Sequence, residues 1–96
     1  MAGGWVYILC NRRNGTLYVG VTSEIARRAW EHREGVGSEF CREHGIARLI
    51  YAEPHETMYG AITREKQIKK WKRAWKIRLI EETNSDWRDL WFDLNT

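Results

Sequence analysis

Residues 16–32, TLYVGVTSEIARRAWEH, change from a strand pattern to a helix pattern within a few positions. Leu17, Val19 and Val21 alternate along the chain and form the single apolar face that is typical of a strand. After a Thr-Ser pair that can cap a helix, apolar residues recur at helical spacing. The stretch therefore predicts a strand over about residues 16–22 that leads directly into a helix over about residues 23–33.

The residues before this stretch predict a partner for that strand. In GWVYILC, residues 4–10, both alternating faces are apolar, which is typical of a central strand that is covered on both sides. The pair Asn14-Gly15 follows, and both residue types tolerate the positive φ angles of a tight turn. We therefore expect a first strand over about residues 4–11 that forms an antiparallel hairpin with the second.

The second half of the chain has mainly helical patterns. The segment EFCREHG predicts a short helical turn, and ARLIYAE predicts a third strand over about residues 47–53, which Pro54 ends. A long helix is predicted over about residues 57–83, with a break near Arg73, and a terminal helix over about residues 86–94.

The composition indicates one small globular domain over residues 1–96. Of the 96 residues 43% are hydrophobic and six are tryptophans, which suffices for one core, while the length is too small for two. Cys10 lies in an apolar run, where a free thiol packs as a small hydrophobe, and this favours a reducing compartment. No stretch reaches membrane-spanning length, and the first arginines follow the first apolar run, which is the wrong order for a signal peptide. We expect a soluble cytoplasmic protein with no membrane partner.

Positive charge is concentrated in one segment. Residues 64–78 hold eight of the sixteen lysines and arginines and one acid, whereas from residue 81 onward five acids accompany one arginine. An amphipathic helix is one explanation, and we expect Trp71 and Trp75 to face mostly the core. Such a patch also attracts a polyanion and contacts phosphates without recognising sequence. The candidate nucleic-acid-binding residues are Lys69, Lys70, Lys72, Arg73 and Lys76.

Glu65 interrupts an apolar helical stripe. Ala61, Ile62, Ile68 and Trp71 are spaced along one face of the predicted helix, and Glu65 falls among them. An unpaired buried carboxylate costs several kcal/mol, so a cation should meet it. The alternatives are an ion pair with Arg28 or another arginine, and a divalent metal ion.

The strand–helix corner carries a second group of chemically active side chains. Arg28 and His32 lie four residues apart on one helical face, just after Tyr18 and Gly20. One alternative is a solvated salt-bridge face that includes Glu24. Gly20 weakens the strand, which is explained if something must approach the backbone there.

Tyrosine is common in strands, and two tyrosines on the predicted hairpin could be core residues. Pairing of the strands would nevertheless bring Tyr7 near Tyr18. Two phenols beside an arginine, a histidine and a carboxylate are suited to phosphodiester hydrolysis, because a metal and an arginine neutralise phosphate charge while a phenol or imidazole takes a proton from water.

These residues together resemble the GIY-YIG nuclease domain, in particular its small single-domain, UPF0213-like branch. WVY at residues 5–7 and YVG at residues 18–20 stand where the family has its two name-giving tripeptides, and TSEIARRAWEH and AITREKQIKKW continue the similarity. The resemblance covers nearly the whole chain. It implies an α+β sandwich in which a three-stranded antiparallel sheet is flanked by helices, and hydrolysis of DNA phosphodiester bonds with one divalent metal ion, Mg²⁺ or Mn²⁺.

The resemblance also implies a role for each candidate residue. Tyr7 matches the proposed general base, and Tyr18 would orient water and phosphate. Arg28 would stabilise the charge that develops on the phosphate, and His32 would assist proton transfer or bind the phosphate. Glu65 matches the metal-binding glutamate.

Two further positions complete the comparison with the family pattern. Gly20 matches the glycine that lets the backbone approach the site, and Asn84 is the one candidate after the long helix for the late asparagine of the family. The first tripeptide has Trp-Val where the family name has Gly-Ile. This substitution lies outside the residues to which the resemblance gives a role in the reaction.

We therefore expect a metal-dependent endonuclease that cuts or nicks DNA with low sequence specificity; RNA is not excluded. Selectivity would come from substrate shape or from a protein partner. An alternative is a non-catalytic nucleic-acid-binding module on the same fold. A third possibility, an adaptor that binds a partner through Trp87 and Trp91, requires exposed rings, and we expect both to be buried.

Overall fold

The computed structural model describes residues 2–94. Its elements in chain order are β1 Gly4–Cys10, β2 Leu17–Thr22, α1 Ile25–Arg33, α2 Glu39–Glu43, β3 Arg48–His55, α3 Met58–Lys69, α4 Arg73–Thr83 and α5 Trp91–Leu94. No helix among the described residues is both long enough and apolar enough to cross a membrane.

The sheet has three antiparallel strands in the order β2-β1-β3. The hairpin register pairs Cys10 with Leu17 and Tyr7 with Gly20. Asn14 has the positive φ, 59°, that the turn between the strands requires. The predicted hairpin, the central position of β1 and the antiparallel sheet flanked by helices are all confirmed.

The two faces of β1 enter two apolar clusters. Val6, Ile8 and Cys10 pack in a cluster with residues of α3 and α4, whereas Tyr7 and Leu9 pack in a second cluster with residues of α1 and α2. Each fully buried aliphatic side chain contributes roughly 1.5–3 kcal/mol to folding. The sheet is therefore sandwiched between two helical layers, and β2 is one of its two edge strands.

The predicted long helix is two helices. The backbone at Lys72 is extended, with φ −62° and ψ 150°, and separates α3 from α4. Ile68 and Ile80 both belong to the same buried cluster, yet twelve residues of continuous helix would rotate one about 120° from the other. The break lets each helix present its own apolar residues to the sheet.

The predicted terminal helix is shorter than its apolar spacing suggests. It starts at Trp91, because Trp87 has a φ of 55° that no helix accepts. Trp87 is fully buried, as expected, and Trp91 is partly buried. The expectation that Trp75 faces the core is wrong: the residue is 50% exposed, while Trp71 packs partly against the core.

Candidate active site

Three rings from three elements meet at the β2 edge of the sheet. Tyr7 of β1, Tyr18 of β2 and His32 of α1 have ring centroids 5.7–6.4 Å apart. The hairpin register causes this, because Tyr7 lies opposite Gly20 and Tyr18 lies opposite Leu9, so both tyrosines point to one face of the sheet. The strand–helix corner then brings His32 against the same face. The predicted proximity of the two tyrosines is confirmed.

Gly20 leaves room for the Tyr7 ring. A Cβ atom on Gly20 would overlap the phenol carbon and oxygen of Tyr7. The expectation that something approaches the backbone at Gly20 is therefore confirmed, and the approaching group is the Tyr7 phenol. A role of Gly20 toward the phosphate stays a prediction.

Gly20→Ala is expected to lower the free energy of unfolding by about 1–3 kcal/mol, the usual cost of inserting a methyl group into a packed site. Denaturant unfolding followed by tryptophan fluorescence measures the change. In a Tyr7→Leu background the phenol is gone, so the same alanine should cost at least about 1 kcal/mol less. Equal costs in the two backgrounds would show that the glycine is needed for another reason.

Tyr7 and His32 share a buried hydrogen bond. The Tyr7 Oη and His32 Nε2 atoms are 3.2 Å apart. His32 is 4% exposed, and its Nδ1 is the one buried side-chain nitrogen or oxygen in residues 2–94 that has no hydrogen-bond partner. Gly37 lies against this atom, since a Cβ there would be 2.9 Å from Nδ1. The imidazole is thus held in place by packing and by the phenol.

Burial keeps both groups of this pair neutral. Burial raises the pKa of Tyr7 well above the usual range, with a further increase from Tyr18. Burial lowers the pKa of His32, and the positive charge of Arg28 lowers it further. At neutral pH the pair therefore consists of a phenol and an uncharged imidazole, in which one nitrogen is able to accept a proton.

The lowered His32 pKa predicts acid-sensitive stability. Unfolded histidine takes up a proton near pH 6.5, whereas buried His32 resists protonation, so the unfolded state binds more protons just below that pH. Stability should therefore be full above about pH 6.5 and decline as the pH falls below it. Denaturant midpoints between pH 7.5 and 5.5 should fall less steeply for His32→Gln than for the parent, while His44→Gln, at an exposed position, should keep the parent slope. Parallel slopes for all three proteins would contradict a buried neutral His32.

Arg28 supplies positive charge beside this pair. It is partly exposed and its Nε lies 3.3 Å from a Glu31 carboxylate oxygen. Glu24 pairs with Arg27 rather than Arg28, so the alternative of a solvated Glu24–Arg28–His32 face is wrong. The positive charge of Arg28 also opposes the rise in the pKa of Tyr7.

Glu65 enters the site from the opposite helical layer. It is 7% exposed within the buried face of α3, and its carboxylate meets Lys69 Nζ at 2.8 Å. A cation does meet Glu65, as expected, but it is a lysine one helical turn away rather than an arginine. Burial and Tyr18 are the main causes of the raised pKa of Tyr7, and the negative charge of Glu65 adds a smaller increase.

The residues present fit a sparsely coordinated divalent ion. In residues 2–94 no three His, Cys, Asp or Glu side chains are grouped as a metal-binding cluster. Mg²⁺ does not need one, because it keeps several waters and commonly binds through one or two carboxylates together with substrate phosphates. The Lys69 ammonium already shows that a cation is stable against the Glu65 carboxylate. Glu65 is therefore the residue that would hold the metal.

The candidate nucleic-acid-binding residues do not form one continuous face. Lys69 pairs with Glu65, and Arg73 Nη2 donates to the backbone carbonyls of Asn14 and Gly15 at 2.8 and 2.6 Å. Lys70 and Lys72 flank the break between α3 and α4 and are exposed, while Lys76 is partly exposed on α4. Lys69 thus lies beside Glu65, whereas Arg73 lies at the hairpin turn.

The structure gives the Asn84 side chain a role in folding. Its Nδ2 donates to the carbonyls of Ile50 and Arg88, and its Oδ1 accepts from the Arg88 backbone N–H at 2.9 Å. Asn84 therefore ties the segment after α4 to β3. All of its polar atoms are used, and the structure does not bring it to the three rings.

Two features of the site surroundings were not found from the sequence. Phe40, 46% exposed, lies in a stacked arrangement with Tyr18 at 6.4 Å. On the far side of α3, Glu53 accepts hydrogen bonds from Tyr51 and Arg64 at 2.5 and 3.0 Å, which joins α3 to β3. The weak sequence clue for Phe40 was an aromatic residue in a mainly polar helical turn. Tyr51 and Glu53 lie on one face of β3, but the pairing with Arg64 depends on how α3 packs against that strand.

The chain is similar to known proteins over most of its length. Residues 3–78 match the GIY-YIG catalytic domain. A UPF0213 protein of Syntrophus aciditrophicus is 37% identical over 84 residues, covering 85% of this chain and 94% of its own, and one of Staphylococcus aureus is 35% identical over 83 residues, covering 85% and 99%.

The fold is also similar to the solution NMR structure of a UPF0213 protein from Bacillus halodurans. The TM-score is 0.56 at 27% sequence identity, over 90% of both chains. The domain match extends from the start of β1 into α4 and includes Tyr7, Tyr18, His32 and Glu65. The chain therefore belongs to the GIY-YIG catalytic domain family.

Proposed function

We propose that this protein is a divalent-metal-dependent endonuclease that hydrolyses phosphodiester bonds in DNA. One observation carries the proposal: the Tyr7 phenol is hydrogen-bonded to His32 and feels the charges of both Arg28 and Glu65. A proton acceptor thus contacts this hydroxyl group, while a cation suited to the phosphate and a carboxylate suited to a metal ion act on it electrostatically. A fold without catalytic activity has no need of this arrangement, since its buried polar groups cost stability.

The proton path follows from the states of the Tyr7–His32 pair. The raised pKa of Tyr7 means that the phenol does not act as a base by losing its proton beforehand. Instead, water gives a proton to Tyr7 Oη while the phenol proton passes to His32 Nε2, and the water oxygen forms its bond to phosphorus as the bond to the leaving oxygen breaks. The leaving oxygen takes a proton from solvent.

The remaining residues stabilise charge and orient the substrate. Arg28 lies where it can neutralise the charge that builds on the phosphate oxygens, and Tyr18 lies beside Tyr7 where it can orient the phosphate. Glu65 would hold Mg²⁺ or Mn²⁺, which when bound supplies a Lewis acid to the phosphate oxygens.

Lys69 competes with the metal for Glu65. Its ammonium occupies the carboxylate at 2.8 Å, and its side chain is half-exposed, so the ion pair is worth at most about 1 kcal/mol. Lys69→Met should therefore tighten Mn²⁺ binding about two- to fivefold, measured by calorimetric titration without substrate. Lys66→Met removes the same charge from an exposed position that has no ion pair with a described residue, and should change the affinity less. Weaker metal binding in Lys69→Met would contradict this competition.

The substrate is recognised by charge and shape rather than by sequence. The exposed cations of α4 and of the α3–α4 break contact phosphates, which gives affinity for DNA without base recognition. Branches, flaps or single strands, or a protein partner, would then direct the cut. We place this activity in the cytoplasm. The second candidate, a nucleic-acid-binding module without turnover, rests on the same cations.

Cleavage of labelled DNA by the purified protein tests the proposal. Single-stranded, duplex and branched DNA, and an RNA strand, are incubated with Mg²⁺, with Mn²⁺ or with chelator. We expect chelator-sensitive cutting, strongest on one of the DNA structures. Binding without cutting under every metal condition would support the module, and cutting that persists in chelator would overturn the metal requirement.

A further inference from the structure

A hollow of about 530 Å³ lies between the β1–β2 turn and the start of α4. It is lined by Arg12, Asn14, Gly15 and Thr16 of the turn and by Arg73 and Lys76 of α4. Three of these side chains are cationic, and no carboxylate lines the hollow. The turn residue Arg12 is distant in sequence from Lys76, so their presence in one lining is a consequence of the fold.

Arg73 fixes the shape of the hollow. Its Nη2 donates to the carbonyls of Asn14 and Gly15, so the turn and α4 are joined by the cation itself. The turn is also held from within, because Asn11 Oδ1 accepts from the Thr16 backbone N–H at 2.9 Å. The two hydrogen bonds hold the planar guanidinium of Arg73 in one orientation. Its remaining N–H groups are therefore already oriented before a ligand binds.

The positive charge of the hollow is not compensated. Arg27, Arg28, Arg64 and Arg88 each lie within ion-pair distance of a carboxylate elsewhere in the molecule. Within residues 2–94, by contrast, no ion pair involves Arg12, Arg73 or Lys76. Like charges that converge on a concave surface raise the local potential and favour an anion there. Phosphate groups fit this site better than carboxylates, because a guanidinium and an ammonium offer several donors to one tetrahedral anion.

The position of the hollow relates it to the candidate active site. Thr16 lies just before the edge strand β2 and two residues before Tyr18, which corresponds to about 7 Å of extended chain. That distance is on the order of the spacing between neighbouring phosphates of a strand, because the backbone winds around the duplex and is longer than the axial rise of about 3.4 Å per nucleotide. A nucleic-acid strand whose scissile phosphate lies at Tyr18 therefore reaches the hollow with a neighbouring phosphate.

We propose that this hollow binds a backbone phosphate of the nucleic-acid substrate and anchors the strand beside the scissile bond. That the bound strand is a nucleic acid rests on the proposed function. The proposal assigns Arg12 and Lys76 as ligands of its phosphate. Arg73 both lines the hollow and holds its two walls together, so it is not a suitable residue to remove in a test of binding alone.

Fluorescence anisotropy of a labelled 16-nucleotide DNA, single-stranded or duplex, tests the anchor in the presence of chelator, where no cleavage occurs. Arg12→Ala and Lys76→Ala are each expected to weaken binding at least about fivefold at low salt, and to reduce the slope of log affinity against log salt by about one. Arg88→Ala is the matched control, because it removes one exposed positive charge that is paired with Asp93; its affinity should stay within about twofold of the parent. Circular dichroism confirms that each variant is folded.

The outcomes separate the anchor from the nuclease. Three results would each overturn the anchor. They are equal losses of DNA affinity in Arg12→Ala and Arg88→Ala, unchanged binding in both hollow variants, and no DNA binding by the parent. If the parent binds DNA without cleaving it and the hollow variants lose affinity, the anchor stands and the nuclease does not. If the parent cleaves, the variants should raise KM at unchanged kcat, and a lowered kcat at unchanged KM would count against the anchor.

Discussion

Glu65→Gln is expected to reduce metal-dependent cleavage at least about a hundredfold while the protein remains folded. The carboxylate is buried on the inner face of α3 and its charge reaches the Tyr7 phenol. A glutamine amide fills the same space but carries no charge to hold a divalent ion. Losing one electrostatic contact to the transition state costs a factor of about 100–1,000 in rate, and loss of the metal adds to this.

Two measurements make the Glu65 result specific. Single-turnover cleavage at saturating Mg²⁺ gives the rate, and calorimetric titration with Mn²⁺ shows whether the metal site is lost with it. Glu82→Gln is the matched control, because it removes a carboxylate from an exposed position on α4 and should leave both quantities unchanged. Cleavage by Glu65→Gln at the parent rate would remove the metal ligand from the proposed function.

The burial of Glu65 was predicted from the sequence, whereas its partner was not. Helical spacing placed the glutamate among apolar residues, and this depends only on the geometry of one helix. The choice between an arginine of α1 and a lysine of the same helix depends on how two layers pack across the sheet. The i,i+4 spacing of Glu65 and Lys69 was available in the sequence and would have favoured the lysine.

The hairpin and its site were predictable for a similar reason. Period-two alternation predicted the two strands, and Asn14-Gly15 marked the turn between them. The register itself follows from the six-residue connection, residues 11–16, and brings Tyr7 opposite Gly20. The break between α3 and α4 was indicated only roughly, since Lys72 belongs to a residue type that is favourable in a helix. Its extended backbone is a tertiary effect, as is the positive φ of Trp87.

Tyr7→Phe is the variant that separates chemistry from folding. It keeps the ring that fills the space beside Gly20 and removes the one hydroxyl that contacts His32. In the proposed path this hydroxyl takes the proton of the attacking water, and general base catalysis is worth a factor of about 100–10,000. We therefore expect cleavage to fall at least about a hundredfold, with metal affinity and DNA affinity close to those of the parent.

The same variant should also destabilise the fold, and that effect has its own control. Removing the phenol oxygen leaves His32 with both ring nitrogens unpaired in a buried position, which costs about 1–3 kcal/mol. Tyr51→Phe removes a buried hydroxyl from the neighbouring strand β3, where it donates to Glu53, and should cost a similar amount of stability.

Tyr7→Phe and Tyr51→Phe should differ in cleavage rate although they lose similar amounts of folding stability. Tyr51 faces the cluster formed with α3 and α4, on the other side of the sheet from His32, so Tyr51→Phe should cleave at close to the parent rate. If both variants lose cleavage in proportion to their loss of stability, the effect of Tyr7→Phe is structural and the proton path through Tyr7 is wrong. If Tyr7→Phe alone loses cleavage at a temperature where both variants are fully folded, the hydroxyl that joins water to His32 is the group that the reaction requires.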